Sequence, residues 1–532
     1  MITVAALTGP LPKLGVVAVA GLTAGALCTG DPRRRATAIL GALVLAPVLL
    51  LADIWHSPQL AVVHRHPLLA GAGAVLALAA LVAVAAQITR RPSLFGALAV
   101  LALPFRIPIQ VGGTASNLLV PLYLTVAAGS LAVIVPALRR GKNPRPAPRR
   151  ANDSGPAPRG GEDPRPPPPR EGLGPAHEPG WTDRLLALYV VLYGVQSVYS
   201  ADFEKALQQM VFFYVPFALL YILLRRLEWT PKLIRTCLLL VSGLALSFAV
   251  LGFVEYATKT IILNPKLVVA NDLHTYFTVN SVFFDPDIFG RFLALVMILL
   301  AGLLLYGRQA RAQAGAALAL AALWAGLVLT LSRSSLGALL VGLGTLAAVR
   351  WKVSRTLAVA VAALALGAAA VAISPRTFGL NQGLNGASSG RADLIGGGIS
   401  LFAGSPVWGH GSASFVTEYR RRHPATQQTL AASHTIPVTI AAEQGVIGEL
   451  AYAALVVVAA VGLIGGARTD PARAAVAAAF LALVFHTFLY ADFLEDPVTW
   501  ALLGVGVALA HERSSRRPGT QPRTRAAASV PV

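Results

Sequence analysis

Cysteine is almost missing from this chain: 532 residues hold two, Cys28 and Cys237, and both fall inside apolar runs. A thiol in that setting behaves as a small hydrophobe, so a disulfide framework and a zinc cluster are both excluded. Charge is scarce too. Charged residues make up 13% of the chain, against about 25% in soluble domains, and acids are scarcer than bases, 24 Asp and Glu against 44 Lys and Arg. With 55% hydrophobic residues and a mean hydropathy of +0.65, an ordinary soluble enzyme is ruled out. The net charge of +20 would suggest nucleic acid in a soluble protein. Here no basic run is interleaved with aromatics, and the basic residues sit between long apolar runs, so the charge reads as membrane topology.

Apolar runs near spanning length begin close to Leu11, Ala36, Pro67, Ser93, Asn117, Arg184, Ala206, Lys232, Asp287, Gln313, Ser335, Arg355, Ala441, Pro471 and Pro497. Those from Ser93 and Ser335 are short, so the expected fold is an all-α polytopic transmembrane bundle of about 12–15 spans. The positive-inside rule supports the count. Arg33 to Arg35, Arg90 and Arg91, the segment from Arg139 to Arg184, Arg225 to Arg235, Arg308 and Arg311, Arg350 to Arg355, Arg468 and Arg473, and the tail from Arg513 share one side, read as cytoplasmic. The opposite loops carry Asp202, Glu204, Asp272, Asp285, Asp287, Asp492, Glu495 and Asp496. The chain is thus expected in the cytoplasmic membrane, N-terminus outside and C-terminus inside.

Composition divides it further. Residues 1–138 hold about five helices; residues 139–182 are rich in proline and arginine, bury no core and are expected to be a disordered cytoplasmic linker. Residues 183–512 form the main transmembrane core, and 513–532 a disordered basic tail.

One outer loop, 374–435, is too long to be a mere connector. It carries Arg376, Arg391, Arg420, Arg421 and Arg422 against Asp393 and Glu418, a net +3 on the side where basic residues are normally rare. An anionic ligand explains that charge; so does the exemption of long loops from the charge rule. Within the loop, Gly390-Arg391-Ala392-Asp393-Leu394 opens a short apolar stretch, and Ser405-Pro406-Val407-Trp408-Gly409-His410-Gly411 reads as a backbone-exposed turn. At its far end Ser433 can cap a helix and Pro437 suits a first turn, which places His434 at a helix N-terminus. The helix that follows exceeds a single span, so Glu443 is expected near the outer interface, in one chamber with His434. Arg333, in Leu331-Ser332-Arg333-Ser334-Ser335, either binds an oxyanion or snorkels to lipid headgroups. Asp285 and Asp287, in Phe284-Asp285-Pro286-Asp287, either serve a site or only cap a helix.

Four stretches in order resemble the O-antigen ligase and O-antigen polymerase family of integral membrane glycosyltransferases. Phe283 to Gly290 is similar to the family's Pro-Asn helix start, with Asp287 where Asn is common; Thr330 to Ala338 resembles its Ser-Arg-Ser/Gly segment. Gly390-Arg391, followed by Ser405 to Phe415, resembles the arginine and glycine-rich stretch of its large loop. His434 with Val438 and Gly445 follows the ligase pattern, although Thr435 stands where Asn, Ser or Asp is usual and Val438 replaces Leu.

The resemblance implies glycan transfer from a polyprenyl diphosphate carrier to a lipid or glycan hydroxyl at the outer membrane face, with no cofactor and no metal. Its expected partners are the donor, the acceptor and membrane lipids, with envelope-assembly proteins as further candidates and no nucleic acid. The sequence agrees in having no Walker loop, no Rossmann fingerprint and no outer Asp-x-Asp or His-x-x-x-His. In this reading Arg333 and Arg391 bind the leaving diphosphate, and His434 is the base or orienter. Glu443 is a substitute base, and Arg420, Arg421, Arg422, Asp287 and His410 contact substrate. A polymerase extending the carrier-linked glycan is the alternative within the same chemistry. A transporter without chemistry is the alternative outside it, and it predicts inverted repeats and broken helices.

Overall fold

A computed structural model describes residues 9–55, 64–111, 114–139, 178–262, 277–351, 391–424, 433–490 and 492–516, with residues 268, 271, 354, 355 and 361 singly. The linker 140–177, most of the run from Arg355, Arg376 and the tail beyond 516 lie outside the described residues. The fold is a polytopic helical bundle.

Its N-terminal part comprises α1 (Pro10–Cys28), α2 (Pro32–Ile54), α3 (Pro67–Arg90), α4 (Ser93–Ala102) and α5 (Val120–Arg139). Proline at the first turn of α1, α2 and α3 suits a position whose N–H has no helical partner. α4 has only ten residues, about 15 Å of helix and half a bilayer core, so the run from Ser93 is not a full helical span. An antiparallel hairpin follows, β1 (Ile107–Val111) with β2 (Thr114–Leu118), and so the run read from Asn117 becomes helical only at Val120.

The main core begins with α6 (Trp181–Ser197). α7 (Phe203–Gln209) passes through a π-helical turn, Met210–Tyr214, into α8 (Val215–Arg225). Pro216 explains the wide turn, because its ring cannot donate to the preceding turn. Then come α9 (Pro231–Thr258), α10 (Pro286–Tyr306), α11 (Ala310–Leu329) and α12 (Arg333–Arg350). Two short helices of the large loop, α13 (Arg391–Gly404) and α14 (Phe415–Arg422), precede α15 (Ile436–Ile464), α16 (Pro471–Thr487) and α17 (Pro497–Arg516). Among the described residues nine helices are long and apolar enough to cross a membrane, with α4, α16 and the apolar part of α17 shorter.

α10 is well enclosed, 61% of its spanning window buried, second among the described spans to the α7–α8 span at 72%, whereas α3 is 6% buried and faces outward along most of its length. α10 packs on α11, α12 and α16, and α16 also packs on α12, α15 and α17. Their alternation gathers the starts of α10, α12, α15 and α17 and the ends of α11 and α16 at one end. Arg308, Arg311, Arg350, Arg468 and Arg473 fall at the other.

Candidate active site

The start of α10 fixes the first functional group. Asp285 caps the helix, its carboxylate accepting from the Asp287 N–H at 2.7 Å, and Pro286 occupies the first turn. Upstream, buried Glu255 of α9 accepts from the N–H groups of Asn280 (3.1 Å) and Ser281 (2.7 Å), which holds the approaching loop. Asp287 then meets the start of α12, where Ser332 is the cap. The Ser332 and Ser334 hydroxyls donate to Asp287 Oδ1, the latter at 3.1 Å, and the Ser335 hydroxyl donates to the Asp287 carbonyl at 3.1 Å. Gly290 permits this approach, since a Cβ there would sit 2.8 Å from Ser335 Oγ.

Asp287 Oδ2 faces Arg391, at 3.5 Å from Nη2. Arg391 begins α13, and its Nη1 donates to the Leu489 carbonyl at 3.0 Å. The guanidinium stays one-third exposed, so it is held on one side and open on the other.

His434 lies one residue before the cap of α15, with φ at +59° in the left-handed region. The expected cap differs. Thr435 holds the cap position without a side-chain bond, and the Ser433 hydroxyl instead bonds the Thr435 carbonyl (2.7 Å) and contacts Thr439 Oγ1 (2.8 Å). The imidazole is edge-on to Tyr490, ring centroids 6.2 Å apart, and the tyrosine hydroxyl donates to Asp285 Oδ2 at 2.9 Å. His434 Nδ1 is buried without a hydrogen-bond partner in the structure. Burial first, and the Arg391 cation second, hold the imidazole pKa below the ordinary histidine value, against the opposing pull of Asp287 and Asp492. Burial, reinforced by Asp287, raises the Asp285 carboxyl.

Residues 318–453, roughly a quarter of the chain, match the family model described as O-antigen ligase. That segment is similar to the O-antigen ligase family. The match supports an O-antigen ligase-like membrane glycosyltransferase, and no curated protein matches the chain. Arg333, Arg391 and His434 lie within the ligase-family segment; Asp285, Asp287 and Tyr490 reach the same cluster from outside it.

Arg333 is exposed at the first turn of α12, between the two serines that hold Asp287. Arg420, Arg421 and Arg422 line the end of α14: Arg420 is exposed, Arg421 pairs with Glu418 at 2.7 Å, and Arg422 donates to the Ser400 carbonyl at 2.9 Å.

Two expectations are corrected. The turn Ser405–Gly411 is not backbone-exposed, for it brackets a break in α15 at Gly445, where φ is +66°. His410 N–H donates to the Ala442 carbonyl (3.1 Å), Gly411 N–H to that of Glu443 (2.8 Å), and Val446 N–H to that of Pro406 (2.8 Å). A Cβ on Gly409 would lie 2.2 Å from the Glu443 carbonyl oxygen, and one on Gly445 would lie 2.3 Å from that of Val407. His410 belongs to this bracket, its Nε2 at 3.0 Å from the Leu401 carbonyl.

Glu443, in turn, does not share a chamber with His434. Its two carboxylate oxygens accept from Ala413 N–H (2.8 Å) and Phe415 N–H (3.0 Å), tying the turn that leads into α14. It borders a separate cavity of about 40 Å³ with Tyr189, Tyr193, Tyr214 and Glu495, room for water and not for a sugar ring.

The sequence reading missed three groups beneath the site. Arg291 of α10 pairs with Asp496 at 2.8 Å, both nearly inaccessible, and His486 ends α16 wholly buried. Tyr490 contacts the rings of both His434 and His486. The available signal was an ionisable residue inside an apolar run, as in Phe289-Gly290-Arg291-Phe292 and Val484-Phe485-His486-Thr487.

Proposed function

We propose that this protein transfers a glycan from a polyprenyl diphosphate-linked donor to a lipid or glycan hydroxyl at the outer face of the cytoplasmic membrane. The observation that carries this reading is the convergence of Asp287, Arg391 and His434, from three separate stretches, at the helix ends opposite the basic ones. The positive-inside rule then puts the site outside and the C-terminus of the chain inside.

In this mechanism the acceptor oxygen attacks C1 of the donor sugar, and the bond from C1 to the phosphate oxygen breaks with its electron pair leaving on the diphosphate. Arg391, held by Asp287 and Leu489 yet open on its other side, neutralises that leaving charge, joined by exposed Arg333. His434, kept neutral by burial and Arg391, takes the acceptor proton through Nε2. Arg420, Arg421 and Arg422 contact the carrier or the glycan. The guanidinium groups supply the charge stabilisation, and no step calls for a metal.

The test is a reconstituted reaction with purified protein, carrier-linked oligosaccharide and candidate acceptors. Release of free polyprenyl diphosphate with one transferred glycan is expected. A ladder still attached to the carrier would make it a polymerase. No release by folded protein that binds the carrier would overturn the reading and favour a transporter.

A further inference from the structure

The serines at the start of α12 form a network whose proton count can be followed. Ser332 and Ser334 hydroxyls reach Asp287 Oδ1, and the Ser335 hydroxyl reaches the Asp287 carbonyl. Ser332 Oγ also lies 2.8 Å from Ser335 Oγ, a contact that shares the same Ser332 proton. Each hydroxyl has a single proton: the carboxylate is the strongest acceptor within reach of Ser332 and Ser334, and the Ser335 proton is given to the Asp287 carbonyl, so all three are directed at Asp287. His486 Nε2 lies 3.2 Å from Ser334 Oγ and 3.4 Å from Ser335 Oγ. With no serine proton left for it, Nε2 must itself carry the proton and donate.

We propose that His486 is a positioning residue for Arg391: its Nε2–H fixes Ser334 and Ser335, the serines fix Asp287, and Asp287 Oδ2 holds the guanidinium. The same turn acts a second time, because the Leu489 N–H bonds the His486 carbonyl at 3.0 Å and the Leu489 carbonyl accepts from Arg391. The end of α16 therefore grips Arg391 both through Asp287 and directly, although it lies outside the ligase-family segment. Outer groups of this kind set the geometry of the residues that meet substrate. The catalytic consequence rests on the glycan-transfer reading; the grip on Arg391 does not.

The test uses the full-length protein in proteoliposomes with His486→Gln, His486→Asn and His486→Phe. Glutamine can place an amide N–H where Nε2–H stands; asparagine is one carbon shorter, and phenylalanine keeps volume without a donor. The first readout, independent of activity, is the rate at which phenylglyoxal modifies Arg391, followed by peptide mass spectrometry. It should rise several-fold in the Asn and Phe variants and stay near wild type in the Gln variant. The second is transfer: the Asn and Phe variants should lose about 10- to 100-fold in kcat/KM. The Gln variant should recover most of it, and Phe combined with Asp287→Asn should cost no more than Asp287→Asn alone. Unchanged Arg391 labelling in the Asn variant, or a Gln variant as impaired as Asn, would overturn the proposal. Absence of transfer by the wild type would instead count against glycan transfer, leaving the labelling result to decide the role of His486.

Discussion

Two polar clusters meet α15, nine residues apart in sequence, and their ionisable side chains use hydrogen-bonding capacity oppositely. At the start of the helix His434 sits in the left-handed region with Nδ1 unpartnered, beside an arginine that is open on one side. At the break, Glu443 has both oxygens bonded to backbone N–H groups, and the turn around Gly409 is bonded to the backbone of Ala442 and Glu443. Strain does not separate them, since Ala413 beside Glu443 is also at positive φ, +62°, and Gln444 Oε1 at the break is buried without a partner; what differs is that the Glu443 carboxylate is spent on backbone N–H groups while one side of Arg391 is left open. In the proposed mechanism the first cluster meets the ligand, and the second holds the chain that presents it.

The comparison can be broken most severely at Arg391. Arg391→Gln should lower transfer by about 10²–10³-fold, the scale of a lost charge-stabilising donor, with little change in melting temperature. Initial rates and thermal unfolding in detergent check both halves. The bracket should respond in the opposite way. Gly445→Ala places a Cβ against the Val407 carbonyl at positive φ, so stability should fall by about 2 kcal/mol or more, read as poor accumulation or a lowered midpoint.

The pH dependence gives a smaller effect. In the proposed mechanism neutral His434 is the active form, and its pKa is lowered, so kcat/KM should fall only as pH drops below about 6.5. Removing the Arg391 cation should move that acid limb upward. The least effect is expected for Arg421→Ala: the guanidinium is largely exposed although its partner Glu418 is nearly buried, so unfolding should shift by at most about 1 kcal/mol and any loss of transfer should appear in donor KM.

Much of this architecture was legible because apolar runs and arginines encode spans and their direction without reference to tertiary contacts. The α10 start, the α12 start and Arg391 were legible as short motifs, each carrying its own cap or charge. Their junction on Asp287 was not, because nothing local says that Ser334 reaches across to another helix. His486 and Arg291 were hidden inside hydrophobic runs, where one polar residue barely alters the pattern. Gly445 was hidden for the converse reason: Ala-Glu-Gln-Gly-Val reads as continuous helix, and only the opposing turn, whose backbone holds Glu443, reveals the break just beyond it.

The most direct measurement of the contrast between the two clusters is a paired assay of His434→Gln and Glu443→Gln, recording transfer rate and unfolding midpoint for each. His434→Gln should lose about 10²–10⁴-fold in kcat with an unaltered midpoint. Glu443→Gln leaves one backbone N–H without its acceptor, so it should lower stability by about 1–3 kcal/mol while folded protein keeps most of its rate. A folded Glu443→Gln protein without activity, beside a His434→Gln protein that still transfers, would contradict the account.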